Sequence, residues 1–207
     1  MKIIGLTGRA GAGKDTAAAF ALDWCAERGI PADRFAFADP LKVSAARALG
    51  FKGTTKQCVE FCNVLKQPGQ VLHLHHPNGS ELGPSRVNTE LGTGRQFLQW
   101  YGTEAHRDVF GSNFWVEVTE RKLVEAAGTL EVAFLTDPRF DNEADMIHAH
   151  DGEVWRVVRP GQETVEEHAS EAGLPEEQID QTILNDKALD DLRAEVRYVC
   201  ERRLEAK

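Results

Sequence analysis

Apolar positions along the chain fall into short runs that alternate with helical stripes. Ile3-Ile4-Gly5-Leu6-Thr7 is a nearly continuous apolar run of strand length. Ala17, Phe20, Ala21 and Trp24 follow at helical spacing, and Gly29 and Pro31 close that helix. Arg34-Phe35-Ala36-Phe37-Ala38 predicts a second strand. Asp39-Pro40 then predicts a helix start, with the aspartate as cap and proline in the first turn, and Gly50 ends it. Cys58, Phe61, Cys62 and Leu65 form a further helical stripe. Residues 93–128 read as largely helical, with breaks near Gly102 and Gly111. Beyond them, Glu131-Val-Ala-Phe-Leu-Thr136 has the unbroken apolar character of a buried parallel strand. A short helix over Glu143–Ala149 leads to a strand at Val154–Val158 and a shorter one at Thr182–Leu184. Leu189, Leu192, Val196 and Val199 predict a C-terminal helix with acidic residues in its first turn. This alternation predicts an α/β class, with a mainly parallel sheet of about five strands and helices on both faces.

One stretch breaks the pattern. From Gln70 to Leu91 the chain turns to His, Pro, Gly, Asn and Ser, so about residues 68–92 read as a loop or hairpin insertion with Asn78-Gly79 as its turn signal. His73, His75 and His76, taken with Cys58 and Cys62, match no common zinc spacing, and the two cysteines already account for themselves as a helix face. At 207 residues the chain is long enough for one domain with a sizeable core. Its formal net charge of -9 argues against a protein that grips a nucleic-acid backbone. The four scattered cysteines show no disulfide framework, and no run approaches the roughly 18 apolar residues of a membrane span. These features together predict a soluble protein of a reducing cytoplasm.

The chemistry begins directly after the first strand. Gly8-Arg9-Ala10-Gly11-Ala12-Gly13-Lys14-Asp15-Thr16 has the spacing of a phosphate-binding loop, set between a strand and a helix as that motif requires. Glycines let the backbone approach a polyphosphate closely, the helix aims its positive N-terminus at the same charge, and Lys14 reaches the outer phosphates. Asp15 stands where a serine or threonine ordinarily offers a hydroxyl to magnesium. Thr16 supplies that hydroxyl one place later, or Asp15 holds the metal through water; the sequence leaves both open.

A phosphate loop specifies a nucleoside triphosphate, not what is done with it. A GTPase should carry Asn-Lys-x-Asp after a late strand, and Asn185-Asp186-Lys187-Ala188 does not match. A motor ATPase usually places a glutamate beside the aspartate ending its apolar strand, whereas Asp137 is followed by Pro138 and Arg139. A small-molecule kinase remains, and it needs cations to clamp the transferring phosphoryl group. Arg95, Arg107, Arg139, Arg156 and Arg159 are the available cations, of which Arg95 and Arg139 stand among apolar residues near loops at the sheet's ligand edge.

Several stretches occur together in one order: Gly13-Lys-Asp-Thr16, Phe37-Ala-Asp-Pro-Leu-Lys42, Arg95-Gln-Phe-Leu-Gln99 running into Gly102-Thr-Glu104, Asp137-Pro-Arg-Phe-Asp-Asn-Glu143, His168-Ala-Ser-Glu171 and Ile183-Leu-Asn-Asp186. Together they resemble the deoxynucleoside monophosphate kinases of bacteriophages, over nearly the whole chain except the insertion. The resemblance implies a three-layer P-loop kinase fold over a single domain of 1–207, and the polarity and position of about residues 159–180, Arg159 included, predict a mobile lid. The resemblance also implies γ-phosphoryl transfer from ATP, with Mg²⁺, to a deoxynucleoside 5′-monophosphate. Gly8, Arg9, Ala10, Gly11, Ala12, Gly13, Lys14, Asp15 and Thr16 would then bind ATP, with Asp15 or Thr16 serving the metal. Lys14, Arg95, Asp137 and Arg139 would carry catalysis. Asp137 either orients Arg139 or metal-bound water, or caps a helix beside Pro138. Arg95 and Arg107 would hold the acceptor phosphate; Asp39, Gln96 and Glu104 would read base or sugar, and Trp100, Tyr101 or Trp115 would stack on the base. A homodimer in a bacterial host's cytoplasm, with no stable nucleic-acid or membrane partner, completes what the resemblance implies. The competing readings are another small kinase such as a dephospho-coenzyme A kinase, a non-catalytic ATP-binding module, and a nucleic-acid 5′-kinase.

Overall fold

Successive side chains of a strand point to opposite faces of its sheet, and the central strands here are apolar on both. In β1 (Lys2–Thr7) Ile4 and Leu6 enter one apolar cluster and Ile3 the other. β5 (Val132–Leu135) does the same, sending Val132 and Phe134 one way and Ala133 and Leu135 the other. β6 (Glu153–Val158) divides Trp155 and Val157 from Val154. Helices α1 (Lys14–Glu27) and α8 (Leu189–Leu204) cover the first face. Helices α6 (Phe114–Ala126) and α7 (Asp141–Ala149) cover the second through Val116, Leu123, Ala144, Met146 and Ile147. The result is a three-layer α/β/α arrangement.

The computed structural model describes residues 1–75, 88–161 and 173–205, and the side chains of these apart from 71–75 and 88–92. The turn at Asn78-Gly79, the side chains of His73, His75 and His76, and residues 162–172 of the expected lid lie outside what is described. Two compact units divide the chain, one of Met1–Phe37 with Val116–Lys207 and one of Ala38–Trp115.

The first unit holds the five-stranded sheet. With β2 (Ala32–Phe35) and β7 (Gln181–Leu184), its order is β2-β5-β1-β6-β7, and every pair is parallel. The chain leaves β1 for one side, through β2 and β5, and later crosses to the other, through β6 and β7. The exit of β1 is therefore a topological switch point, where connections diverge and leave a crevice at the strands' carboxyl ends. β2 ends at Phe35, short of the expected Ala38, because the Phe37 N–H donates to Asp137 Oδ1 at 2.7 Å and so turns out of the ladder. Cys25 and Cys200 are wholly buried between α1 and α8. Burial pushes their thiols up to about 11 and about 12, which leaves them neutral packing groups. No helix among the described residues is long and apolar enough to cross a membrane.

The second unit packs α2 (Ala38–Ala48), α3 (Thr55–Leu65) and α4 (Gly94–Gly102) around Ala45, Ala46, Cys58, Cys62 and Leu98. Helix α2 begins at Ala38, so Asp39 lies inside its first turn rather than at the cap, and Pro40 is tolerated there because first-turn N–H groups lack intrahelical acceptors. β3 (Val71–His75) and β4 (Asn88–Thr93) pair antiparallel with a bulge near Val71 and His73, so the expected insertion carries a pair of strands. A π-helical turn at Thr103–Arg107 and the one-turn α5 (Asp108–Phe110) join α4 to α6, which puts the expected breaks at Gly102 and Gly111 on helix boundaries.

Phe134 is 0% exposed at the centre of the first face. Phe134→Ala should lower unfolding free energy by about 3–5 kcal/mol, the usual range for emptying an aromatic site in a packed core, as read by chemical denaturation.

Candidate functional site

The loop after β1 is held open by backbone crowding. Gly8 has φ +138°, and a Cβ there would lie 2.3 Å from the Val157 carbonyl oxygen of β6. Gly13 has φ +101°, and its Cβ would meet Asn185 Nδ2 at 2.7 Å. Neither position accepts a side chain, so the glycines are required by packing as well as by conformation. Within the loop the Ala12 N–H donates to the Arg9 carbonyl at 3.1 Å, and the Ala17 N–H reaches the Gly13 carbonyl at 2.8 Å, beginning α1. Lys14 Nζ donates to the Gly8 and Arg9 carbonyls at 2.7 and 2.9 Å, so its ammonium sits over the loop from which the backbone N–H groups emerge. Arg9, Ala10 and Gly11 are exposed at the loop's rim.

Asp15 and Thr16 lie in the first turn of α1. The Asp15 side chain is 82% exposed, and its Oδ1 lies 3.6 Å from an Arg34 guanidinium nitrogen. In the sequence Arg34 is marked only as a position of the second strand. Its approach to Asp15 depends on where β2 lies in the sheet, which no local pattern encodes.

Two carboxylates shape the exit of β5. Asp137 Oδ1 accepts from the Phe37 N–H, tying the end of β2 to the end of β5. Glu143, only 3% exposed, accepts from the Arg139 N–H at 2.7 Å and the Phe140 N–H at 3.2 Å. The buried Thr7 hydroxyl donates to the Pro138 carbonyl at 2.8 Å, fastening the same turn to the exit of β1. Glu143 thereby fixes the backbone that carries Arg139. It stands within a stretch the sequence singles out, and its partners lie only three and four positions back at the start of α7; what the fold adds is its burial.

A cleft of about 490 Å³ opens against this loop, lined by Gly8, Arg9 and Ala12 and by Arg139, Arg156 and Arg159. Leu174 lines it too. Four guanidinium groups thus border one cavity at the sheet's switch point, enough cationic charge to hold a polyanion. Arg156 makes a two-pronged contact with the Glu176 carboxylate, one arm at 2.9 Å. That hydrogen bond holds Glu176 below its ordinary value of 4.5, with the guanidinium's charge adding to the shift.

The other expected residues belong to the second unit. Asp39 lies 3.3 Å from Lys42 Nζ, and Lys42 is buried at 7% exposure. Arg95 and Gln96 occupy the first turn of α4. Gln96 completes a capping box with Thr93: its Oε1 accepts from the Thr93 N–H at 2.9 Å, and its own N–H donates to Thr93 Oγ1 at 3.2 Å. Glu104 and Arg107 lie on the π-helical turn, a geometry frequent at functional sites. Trp115 is 4% exposed and its indole N–H donates to the Gly102 carbonyl at 3.1 Å, so in this structure its ring is part of the packing around His106 and Phe114. Trp100, by contrast, is 49% exposed. Cys58 and Cys62 are both 0% exposed in the apolar cluster of this unit.

Comparison with known proteins identifies a family. A family model described as deoxynucleotide monophosphate kinase matches residues 85–196, a span containing Arg95, Arg107, Asp137, Arg139 and Asn185. The deoxynucleoside-5′-monophosphate kinase of Escherichia phage T5 is 28% identical, over 98% of this chain and 97% of that one. The deoxynucleotide monophosphate kinase of Escherichia phage RB69 is 30% identical over 106 residues, 51% of this chain but 43% of its own length. Among solved structures, a dephospho-CoA kinase from Campylobacter jejuni aligns over 97% of this chain and 96% of that one at 14% identity, with a TM-score of 0.43, too distant to bear on function.

The Glu176 carboxyl, lowered by its contact with Arg156, contributes stability above its unfolded pKa that is lost as pH falls through the lower folded value. Arg156→Ala should return Glu176 toward 4.5, as read by side-chain carboxyl NMR across a pH titration.

Proposed function

Because this chain belongs to the deoxynucleotide monophosphate kinase family, we propose that it transfers the terminal phosphoryl group of ATP to a deoxynucleoside 5′-monophosphate. The observation that carries the reading is a cleft bordered by Gly8 and Ala12 of the glycine loop and by four arginines, with Lys14 bonded back onto the Gly8 carbonyl of that loop. A polyphosphate fits the loop's N–H groups and the start of α1, and a second phosphate needs the added cations.

An oxygen of the acceptor's phosphate attacks the γ-phosphorus, the new O–P bond forms, and the bond from the γ-phosphorus to the bridging oxygen breaks to leave ADP. The attacking oxygen is already anionic, so the reaction needs no general base. Charge on the transferring group is what the protein must balance. Lys14, swinging from the Gly8 and Arg9 carbonyls, meets the outer phosphates of the donor. Arg139, on a backbone held by Glu143, clamps the group in transit, and Arg159 adds a second fork from the exit of β6. Asp137 acts on this machinery by holding the turn that presents Arg139. Arg95 and Arg107 hold the acceptor's phosphate, and Asp39 and Glu104 read its sugar or base. Gln96 supports that surface through its capping box with Thr93 at the start of α4.

Magnesium is a hard cation that takes oxygen donors and keeps several waters. Asp15 and Thr16 in the first turn of α1 suit it: Asp15 offers an 82% exposed carboxylate, shared with Arg34, and Thr16 a hydroxyl. Bound there, the ion would neutralise polyphosphate charge.

A coupled ADP-release assay with Mg·ATP and a panel of deoxynucleoside and ribonucleoside monophosphates, plus dephospho-coenzyme A, tests the reading. Turnover is expected with one or more deoxynucleotides. Lys14→Ala and Arg139→Ala should each lower kcat by about 100-fold or more, the scale of losing one preorganised charge contact to the transition state. Arg95→Ala should act mainly on the acceptor's KM. Activity with dephospho-coenzyme A alone would overturn the acceptor assignment while keeping the phosphate loop.

A further inference from the structure

Asn185 is the first residue beyond β7, and none of the roles described above uses it. Its own N–H donates to the Val158 carbonyl at 2.8 Å, continuing the β6–β7 ladder by one rung and fixing where the residue stands. From there its side chain crosses to the phosphate loop, where Nδ2 donates to the Ala12 carbonyl at 2.9 Å. The same nitrogen occupies the space a Cβ on Gly13 would need, at 2.7 Å. Two residues 173 positions apart in sequence are thus in direct contact at the loop.

The consequence follows from peptide geometry. Ala12 and Gly13 share a planar trans peptide, since the described chain has no cis bond. In a trans peptide the C=O and the N–H point in opposite directions. Holding the Ala12 carbonyl toward Asn185 therefore turns the Gly13 N–H away from Asn185. Gly13 is the last loop residue before α1, and its φ of +101° lies in a region only glycine adopts readily. Without a partner for the Ala12 carbonyl, this peptide is free to flip and take the Gly13 donor with it.

We infer that Asn185 is a positioning residue of the phosphate loop, which sets the Gly13 N–H for an anionic phosphate through its hydrogen bond to the Ala12 carbonyl. The inference rests on the proposed use of that loop for a polyphosphate. It concerns the triphosphate and not the base, so inorganic tripolyphosphate is the decisive probe. An amide that touched the nucleoside would matter to ATP and not to tripolyphosphate; an amide that orients the loop matters to both alike.

The experiment is calorimetric titration of wild type, Asn185→Ala and Asn185→Asp with tripolyphosphate and with ATP, alongside steady-state KM for the acceptor. Loss of one net hydrogen bond predicts tripolyphosphate and ATP affinities roughly five- to tenfold lower in Asn185→Ala. The loss should be larger in Asn185→Asp, whose carboxylate faces the Ala12 oxygen. Acceptor KM should move little, and the Gly13 amide NMR resonance should shift on adding tripolyphosphate to wild type but not to Asn185→Ala. Unchanged tripolyphosphate affinity in the variants, or a loss confined to ATP, overturns the inference. If Asn185→Ala does not fold, Asn185→Asp, nearly identical in shape, decides by the same criteria. Wild type that binds neither anion overturns the polyphosphate reading itself, whereas wild type that binds both while the variants match it overturns the inference alone.

Discussion

The cleft depends on how closely β6 lies against the first residue of the glycine loop. The Val157 carbonyl fills the place of a Gly8 side chain, and on the other flank the Thr7 hydroxyl is bonded to the Pro138 carbonyl. β1 therefore ends between two neighbours that leave its loop one path. Widening that junction by a single methyl group would displace either the β1–β6 ladder or the loop, and with it the register of every group bordering the cleft. The parallel order of the sheet makes this crowding unavoidable, because it delivers the carboxyl ends of β1, β5 and β6 to the same edge.

Charge in the first unit is distributed according to that edge. The whole chain carries a formal charge of -9, yet the cleft is bordered by Arg9, Arg139, Arg156 and Arg159. Net charge governs solubility and long-range repulsion, whereas a cavity with low-dielectric walls responds to the few charges that line it. The nearby carboxylates do not cancel those arginines uniformly. Glu176 pairs with Arg156, while Asp137 and Glu143 spend oxygens on backbone N–H groups and act as fasteners for the turn carrying Arg139. A cationic cleft on an acidic protein is therefore a division of labour among carboxylates.

Candidate residues divide by what their chemistry needs. Placement set by neighbours in sequence was legible: the glycine loop with Lys14 between β1 and α1, and the apolar stretches that became β1, β5 and β6. Other candidates carry structural contacts that their residue type alone did not announce. Gln96, expected among the groups that read the substrate, completes the capping box of α4 with Thr93, three residues away. Trp115 looked like a stacking surface and has its indole N–H bonded to the Gly102 carbonyl inside the second unit. Glu143 stood in a conspicuous stretch without a stated role and proved to anchor two N–H groups.

The amino-acid sequence by itself determined the elements and the motif. Period-2 and helical spacings are local, and a glycine loop between a strand and a helix requires only residues adjacent in the chain. Tertiary structure alone decided the strand order, which hydrophobic patterning cannot rank because several orders bury the same faces. That order brought Arg34 to Asp15, Glu176 to Arg156 and Asn185 to the Ala12 carbonyl. Contacts of this kind join positions far apart in sequence, and their partners are selected by the packing of the whole sheet.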